Sequence, residues 1–300
     1  MARTDLAVVL AVSSALCIAT GDVLQQQVAH RITDKSVGQL KLLAKLLGNR
    51  RWRWGTALLA ASIALQAAAL GQGSVILVQA LLMLSLLFAL PISAVLSRRK
   101  MTASQWIWAG LLTAAVTVVV VVGHPEAGHS GASLRTWAVV SVVLGPALAL
   151  CVVAAQIRRG TLGAVLFALV SGSLWGVFAV LTKEVVARLG DGGGTLIRTP
   201  ELYACILVAL GGILWSQSAF RAGSLAASMP TLQVSQPVVA TVLGVLVLDE
   251  KLNTGGAGFI ALAVAGLVMV AAIVKLAGFE AMATRDRAAA ERKDPVSQPT

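Results

Sequence analysis

The chain has 300 residues, of which 57% are hydrophobic and only 12% are charged. Charged residues are about half as frequent as the roughly 25% typical of soluble domains, so the sequence leaves no room for a separate soluble domain. The net charge of +11 is typical of nucleic-acid-binding proteins. We exclude nucleic acid as a partner because the basic residues fall between long apolar runs, where anionic lipid attracts them.

Nine long apolar runs divide the chain. Each is close to the roughly 20 residues that a helix needs to cross a hydrocarbon core about 30 Å thick. The runs cover residues 6–29, 54–70, 74–96, 105–122, 137–155, 161–182, 202–220, 224–248 and 255–274. The sequence therefore predicts an all-α polytopic membrane protein with nine transmembrane helices.

The basic residues fall mainly on one side of the predicted membrane. When successive loops are assigned alternately to two sides, 18 of the 24 Lys and Arg residues share one side. Loops rich in Lys and Arg are retained in the cytoplasm. We therefore expect a multi-pass protein of the plasma (inner) membrane, with its amino terminus outside and its carboxyl terminus in the cytoplasm.

The first run contains an ionisable residue, Asp22. The run is too long for the apolar core of a signal peptide, so we predict a retained helix. Asp22 lies about 16 residues into this helix, or roughly 24 Å along its axis. Ionisable groups within a span are costly and often functional, so Asp22 is a candidate for ion coupling. It could equally cap a helix end exposed to water or pair with a nearby base.

The two parts of the chain show a weak internal repeat. A shift of 157 positions aligns eight identical residues within 25, and these pairs include Ser14 with Ser171. Each part contains four spans, and an even number would insert both copies in the same orientation. The single span at 137–155 reverses the second copy. The sequence thus predicts two inverted four-helix repeats and a connecting helix, an arrangement that many secondary transporters build around a central site.

These repeats divide the chain into four segments. The charged stretch between the first two spans has apolar residues at helical spacing over 37–47, which indicates a short helix in the cytoplasmic interface. The predicted segments are a first repeat at 1–123 with four spans and this interfacial helix, an outer loop and connecting helix at 124–160, a second, inverted repeat at 161–276, and a cytoplasmic tail at 277–300.

The eighth run carries the densest polar cluster within a predicted span. Gln233 and Gln236 share one helix face, between Pro230 and Pro237. A helix interrupted by proline exposes backbone groups, which are tolerated only against protein or a water-filled cavity. The two glutamines indicate either a polar face that contacts substrate or hydrogen bonds that join neighbouring helices.

Other polar and aromatic residues lie at related places in the two halves. Gln66 in the second run and Gln217 in the seventh occupy matching positions, and Gln79 in the third is the nearest first-half counterpart of the Gln233 and Gln236 face. Trp175 in the sixth run has hydroxyl side chains near it. We predict that these residues contact substrate at the repeat interface; structural hydrogen bonding for the glutamines, and helix packing or lipid contact for Trp175, remain alternatives.

Two charged residues, Lys183 and Glu184, end the sixth run near the predicted outer surface. Adjacent residues point to different faces of a helix, so the two side chains are not expected to pair with each other. Long charged side chains near a helix end commonly reach the interface while their stems stay in apolar surroundings. We expect that behaviour of both residues.

The chain lacks the motifs of an enzyme. It has no G-x-x-x-x-G-K-[ST] sequence, which excludes a P-loop ATPase, and neither its His nor its Cys spacing indicates a metal site. We therefore expect no catalytic residues, no metal ligands and no cofactor. Gly172 and Gly176 have G-x-x-x-G spacing, which favours close helix packing either inside the bundle or in a homodimer.

Three stretches of the chain carry recognisable motifs. They are Gly21-Asp22-Val23-Leu24-Gln25-Gln26, Gln66–Thr102 with Gly71, Gly73, Val78-Gln79 and Pro91, and Leu202–Lys251 with Gly211-Gly212, Trp215-Ser216-Gln217-Ser218-Ala219-Phe220, Gln236-Pro237 and Leu248-Asp249-Glu250-Lys251-Leu252. With these motifs the sequence resembles the drug/metabolite transporter superfamily, particularly its EamA-like and NIPA-like branches. The resemblance covers about residues 5–276, and nine spans suit the NIPA-like branch better than the ten usual in the superfamily.

The sequence thus favours a secondary transporter that moves a small polar or cationic metabolite or drug by alternating access. The NIPA-like resemblance implies a first alternative, the transport of magnesium or another divalent cation. A second alternative is a non-transporting membrane scaffold or accessory subunit. The expected partners are a small-molecule or ion substrate and membrane lipid.

Overall fold

The computed structural model describes residues 2–32, 49–96, 100–158, 160–189, 197, 199–222 and 225–293. This described part consists of helices and two short strands. In chain order they are α1 (Ala2–Ile32), α2 (Arg50–Gln72), α3 (Val75–Leu82), α4 (Leu84–Leu96), α5 (Ala103–Val121), β1 (Pro125–Glu126), α6 (Leu134–Ile157), α7 (Thr161–Leu189), α8 (Pro200–Ala222), α9 (Leu225–Leu248), β2 (Lys251–Leu252) and α10 (Gly256–Lys293).

Nine helical segments in the described ranges are long and apolar enough to cross a membrane. The third of them, Val75–Leu96, comprises α3 and α4. These segments bear out the prediction of an all-α polytopic membrane protein, apart from the two-residue strands β1 and β2, which pair in antiparallel fashion. The predicted interfacial helix at 37–47 lies outside the described residues.

The helices differ from the sequence-based expectation in three places. α9 runs through Pro230 and Pro237 without interruption, because neighbouring groups in a membrane protein satisfy the carbonyls that a proline leaves unpaired. The third span is instead irregular at Met83, which keeps helical angles of φ −63° and ψ −20°. α10 continues to Lys293, so most of the predicted tail at 277–300 is a continuation of the last helix.

The third span and α7 form the centre of the bundle. In the most apolar 18-residue stretch of each helix, 72% of the third span and 61% of α7 is buried inside the protein. The corresponding share for α6 is 6%. Leu77 and Val78 of α3 and Val180 and Leu181 of α7 belong to the same buried apolar cluster. α6 lies at the periphery, where it packs on α7.

Two sets of helices pack in the same order. α1 packs on α2 and on the third span, and the third span contacts α5; likewise α7 packs on α8 and on α9, and α9 contacts α10. Between the two sets, α2 contacts α7, α3 contacts α9, and α5 contacts α10. The third span and α9 therefore meet in the interior, and their contact positions the candidate site.

The loops at one end of the bundle are joined by polar contacts. β1, between α5 and α6, pairs with β2, between α9 and α10. The His129 N–H donates to the Leu248 carbonyl oxygen at 2.6 Å, and the Asn253 amide donates to Glu126 at 3.1 Å. Glu250 is buried at this end, which we refer to as the Glu250 end.

Candidate functional site

Two of the glutamines predicted to contact substrate meet where α3 packs on α9. The Gln236 Nε2 of α9 donates to the Gln79 Oε1 of α3 at 3.4 Å, a long and therefore weak hydrogen bond. Gln79 is completely buried, whereas Gln236 is partly exposed. The structure thus joins one side chain from each predicted repeat.

The Gln79 amide has more hydrogen-bonding capacity than the protein uses. A glutamine amide carries two N–H donors, and among the described residues the buried Nε2 of Gln79 has no partner. Leaving a buried donor without a partner costs about 1–3 kcal/mol. Such groups are uncommon in folded proteins and require a specific explanation. One such explanation is a bound polar molecule that accepts a hydrogen bond from the Gln79 Nε2.

The remaining candidate residues are all exposed or partly exposed. Gln233 is partly exposed, three residues before Gln236 on α9, and Gln66 is partly exposed on α2. Gln217 is exposed on α8, and Asp22 is exposed on α1. Of the predicted set, Gln79 and Gln236 are therefore the two that the structure brings into hydrogen-bonding contact.

Trp175 packs between α7 and α8. A Cβ added to Gly212 of α8 would lie only 3.0 Å from the Trp175 Nε1, so the indole ring rests against a glycine that leaves room for it. The Phe178 ring meets the Trp175 ring edge-on, with centroids 5.3 Å apart. These contacts are typical of helix packing, the alternative that the sequence left open for this residue.

Glu250 is buried because the chain turns sharply after α9. Asp249 adopts a left-handed conformation with φ 52°, which Asp tolerates better than most residues. The Glu250 N–H then donates to the Gly244 carbonyl oxygen at 3.0 Å. Gly244 also leaves room for the carboxylate, since a Cβ there would lie 3.0 Å from the Glu250 Oε2.

Three donors from two helices hold the Glu250 carboxylate. The Lys183 Nζ of α7 donates at 2.6 Å, and the N–H groups of Val75 and Ile76 donate at 2.6 and 3.1 Å. Val75 and Ile76 begin α3, so the carboxylate also faces the positive end of that helix dipole. Gln79 lies one helical turn after Val75, on the same face of α3. The amide pair and the ion pair therefore lie along one helix.

Lys183 and Glu184 do not extend to the interface, so that expectation was wrong. They are only 5% and 2% exposed, because each finds a hydrogen-bonding partner on its own side of α7. Lys183 pairs with Glu250. The Glu184 Oε2 accepts from the Trp137 Nε1 at 2.9 Å, and its Oε1 accepts from the Ala132 N–H at 2.7 Å. The two side chains do point to different faces, as the sequence predicted.

The burial of Glu250 was not predicted from the sequence. Its partner Lys183 is 67 residues away and Val75 is 175 residues away, so no local pattern joins them. One signal was present: Ser74 is a helix N-cap residue type at the start of the third span, and an anion is favourable beside such a helix end.

A third carboxylate, Glu201, lies in the first turn of α8. The Arg188 Nη2 donates to its Oε1 at 3.2 Å, whereas its Oε2 is buried and has no partner among the described residues. Glu201 also lines a cavity of about 330 Å³ between α6, α7 and α8. The cavity is otherwise lined mainly by apolar side chains.

No group of three or more His, Cys, Asp and Glu side chains converges in the part of the chain that the structure describes. The carboxylates of Glu184 and Glu250 are each satisfied by protein donors. The expectation of a protein without metal ligands or a cofactor stays a prediction.

The G-x-x-x-G pair of α7 packs inside the bundle. A Cβ at Gly172 would lie 2.7 Å from the Leu232 carbonyl oxygen, and one at Gly176 would lie 2.8 Å from the Gln236 carbonyl oxygen. Both glycines are therefore needed for the close approach of α7 to α9, which also positions Gln236. The spacing is explained by this contact within the chain, and a homodimer stays a prediction without support from these glycines.

The chain is similar to an uncharacterized protein from Corynebacterium glutamicum. The two are 37% identical over 274 residues, which make up 90% of this chain and 94% of the relative. No family model matches the chain, and no solved structure matches it. The chain is thus a multi-pass membrane protein that belongs to the same family as the Corynebacterium glutamicum protein.

Proposed function

We propose that the chain is a secondary transporter that carries a small polar or cationic metabolite or drug across the plasma membrane by alternating access. The proposal rests chiefly on Gln79 and Gln236, which meet across the contact of α3 with α9. Transporters built from inverted repeats bind substrate at such a contact between repeats. A substrate atom that accepts a hydrogen bond from the Gln79 Nε2 would satisfy a buried donor that has no partner among the described residues.

Two serines that the repeat aligns make the same kind of contact, which supports an inverted-repeat architecture. The Ser14 Oγ of α1 donates to the Ser62 carbonyl oxygen of α2 at 2.8 Å, and the Ser171 Oγ of α7 donates to the Gly212 carbonyl oxygen of α8 at 2.8 Å. Both serines are completely buried. A shared origin of the two helix pairs accounts for this correspondence.

The order of helix contacts supports the same architecture. α1, α2, the third span and α5 pack on one another in the order in which α7, α8, α9 and α10 do. α6 stands outside both sets, on the periphery of α7. Two inverted four-helix copies require one additional span between them to reverse the direction of insertion. A peripheral helix such as α6 fits this role, because it need not belong to either set.

In the proposed mechanism, the Glu250 end is the closed side of the transporter in this conformation. Lys183 of α7 donates to Glu250 after α9, and Glu250 also accepts from the Val75 N–H at the start of α3. The β1–β2 pair joins two loops at the same end. With the amino terminus outside, this end faces the exterior. In our mechanism the Lys183–Glu250 bond breaks when the outer side opens, and Gln79, one turn further along α3, then becomes accessible from outside.

The proposal includes membership of the drug/metabolite transporter superfamily, on the motifs quoted above. Asp22 is the residue that we assign to ion coupling. Asp22 lies within the first span and is exposed on α1, whereas Glu250 is buried at the end of the bundle. Transport of magnesium and a scaffold role remain alternatives that the following experiment separates.

The test uses the full-length protein. A thermal-shift screen with amines, amino acids, sugars, nucleosides and Mg²⁺ identifies compounds that stabilise it, since a ligand that binds only the folded state raises its stability. Uptake of each stabilising compound is then measured in proteoliposomes with the wild type and with Gln79→Leu. We expect uptake by the wild type and a loss of at least tenfold in the variant.

Thr117→Val is the matched control. The Thr117 hydroxyl donates within its own helix to the Thr113 carbonyl oxygen at 2.8 Å, so the substitution removes one polar group from a span without touching the amide pair. Uptake by Gln79→Leu equal to that of Thr117→Val contradicts the proposed site. Uptake of Mg²⁺ alone supports the divalent-cation alternative, and no uptake of any stabilising compound supports a scaffold.

A further inference from the structure

The cavity between α6, α7 and α8 is a long apolar slot that lies outside the proposed transport site. On α6 the lining residues run from Trp137 to Leu148 and recur about once per helical turn. This part of the helix is about 16 Å long at 1.5 Å per residue. On α7 it runs from Leu174 to Leu181, and on α8 it reaches Val208. A slot of this shape fits an extended hydrocarbon chain better than a compact metabolite.

The slot opens toward lipid. α6 and α8 both pack on α7, and no extensive contact joins α6 to α8 within the described ranges. Both helices are also among the least buried of the spans. Only 6% of the most apolar stretch of α6 and 17% of that of α8 is buried inside the protein. The molecules with the most direct access to the slot are therefore the lipids of the surrounding bilayer.

One end of the slot is polar. Glu201 lines it there, close to Trp137 at the Glu250 end. The Glu201 Oε2 is buried and has no partner among the described residues, while its Oε1 is bound by Arg188. The Arg188 side chain is 48% exposed, so part of its guanidinium group remains accessible. Glu184, the other carboxylate nearby, is already occupied by Trp137.

We propose that the slot is a binding site for a phospholipid whose headgroup carries a primary ammonium group, such as phosphatidylethanolamine. An acyl chain occupies the apolar slot, the ammonium group donates to the Glu201 Oε2, and the phosphate accepts from the exposed part of Arg188. Charged hydrogen bonds of both kinds are short and strong. The headgroup thereby supplies the donor that Glu201 lacks. This site does not depend on the transport function proposed above.

The headgroup chemistry gives a direct test. The purified full-length protein in detergent is mixed with phosphatidylethanolamine, phosphatidylcholine or phosphatidylglycerol that carry identical acyl chains, and bound lipid is counted by native mass spectrometry. Phosphatidylcholine has the same charges but no N–H donor, and phosphatidylglycerol has no cation. We expect phosphatidylethanolamine to bind about tenfold more tightly than either, the effect of one charge-assisted hydrogen bond.

Two variants test the assignment to this slot. Glu201→Gln keeps the shape of the side chain and removes its charge, so the preference for phosphatidylethanolamine should disappear. Gly145→Leu fills the slot from α6, where an added Cβ meets nothing within 4 Å, and should weaken binding of all three lipids. Gly110→Leu on α5, where an added Cβ also meets nothing within 4 Å, is the control and should bind as the wild type does.

Three results overturn the proposal. The first is equal binding of phosphatidylcholine and phosphatidylethanolamine, which would remove the need for an N–H donor. The second is a preference for phosphatidylglycerol, which would indicate attraction by basic residues alone. The third is an unchanged phosphatidylethanolamine preference in Glu201→Gln. Because Gly145→Leu lies on a different helix, it still tests the slot if Glu201→Gln fails to fold.

Discussion

Lys183 of α7 and Glu250 after α9 form a buried ion pair with 2.6 Å between Nζ and Oε1. The pair is 67 residues apart in the chain and is bonded to the first turn of α3. It therefore joins three parts of the chain at one end of the bundle. Because the carboxylate accepts from the Val75 N–H, one helical turn before Gln79 on α3, the ion pair lies beside the candidate substrate site.

Removing one partner of this ion pair should destabilise the protein strongly. Lys183→Met leaves the Glu250 carboxylate buried with only backbone donors, and a broken buried pair costs about 3–5 kcal/mol. The double variant Lys183→Met/Glu250→Gln leaves no buried charge and should lose less than the sum of the single changes. The measurement is the free energy of unfolding in detergent.

An exposed ion pair provides the control for that experiment. Lys251 and Asp249 are separated by 3.9 Å, with side chains 71% and 62% exposed. Surface pairs of this kind contribute little to stability, so Lys251→Met should unfold as the wild type does. If Lys183→Met were as stable as Lys251→Met, the buried pair would not stabilise this end of the bundle.

The Gln79→Leu substitution should separate stability from function. The wild-type amide buries a donor without a partner among the described residues, at a cost of about 1–3 kcal/mol. Replacing it by a side chain of similar volume removes that cost, so the midpoint of thermal unfolding should stay the same or rise while substrate uptake falls. A lower midpoint together with normal uptake would assign Gln79 to structure alone.

Gly176→Val should force α7 away from α9. An added Cβ would lie 2.8 Å from the Gln236 carbonyl oxygen and 2.9 Å from the Ala240 nitrogen, and overpacking of this kind costs about 1–3 kcal/mol. Gly110→Val, where an added Cβ meets nothing within 4 Å, is the matched control. Thermal unfolding of both variants checks the prediction, and equal midpoints would contradict close packing at Gly176.

The direction of insertion can be checked by labelling. In a variant with Cys17, Cys151 and Cys205 replaced, a single cysteine at Gly131 should react with a membrane-impermeant maleimide in intact cells. A single cysteine at Lys100 should react only after the membrane is permeabilised. Both positions are exposed in the structure. Reaction of both in intact cells would contradict the predicted topology.

Asp22→Asn tests ion coupling. The substitution keeps the size of the side chain and removes its ability to carry a proton or attract a cation. Uptake driven by a proton or cation gradient should fall to the level seen without a gradient, whereas exchange of substrate across the membrane at equal ion concentrations should continue. Equal loss of both activities, or of protein yield alone, would indicate a structural role for Asp22.

The spans could be predicted from the sequence because their signal is local. A helix that crosses a membrane must be apolar over its whole length, and the predicted run at 202–220 lies within α8, Pro200–Ala222. The run at 74–96 likewise matches Val75–Leu96. The apolar length of each run is itself the signal, so little depends on the rest of the chain.

The polar contacts were predicted only in part because they join distant residues. Gln79 was expected near the face of Gln236, and the two do meet. The burial of Glu250 depends on the left-handed turn at Asp249 and on the start of α3. Ser74 marks the start of α3 as a helix N-cap residue, but no pattern near Glu250 joins it to that helix end, and an acid beside a loop is more often exposed.

The last helix, α10, extends well beyond its membrane-spanning part. α10 is a single helix of 38 residues, about 57 Å long at 1.5 Å per residue, and only Gly256–Phe279 forms the ninth span. Residues 280–293 continue the same helix beyond that span. A small tilt of that span is therefore magnified at Lys293, where a fluorophore would convert the tilt into a change of distance.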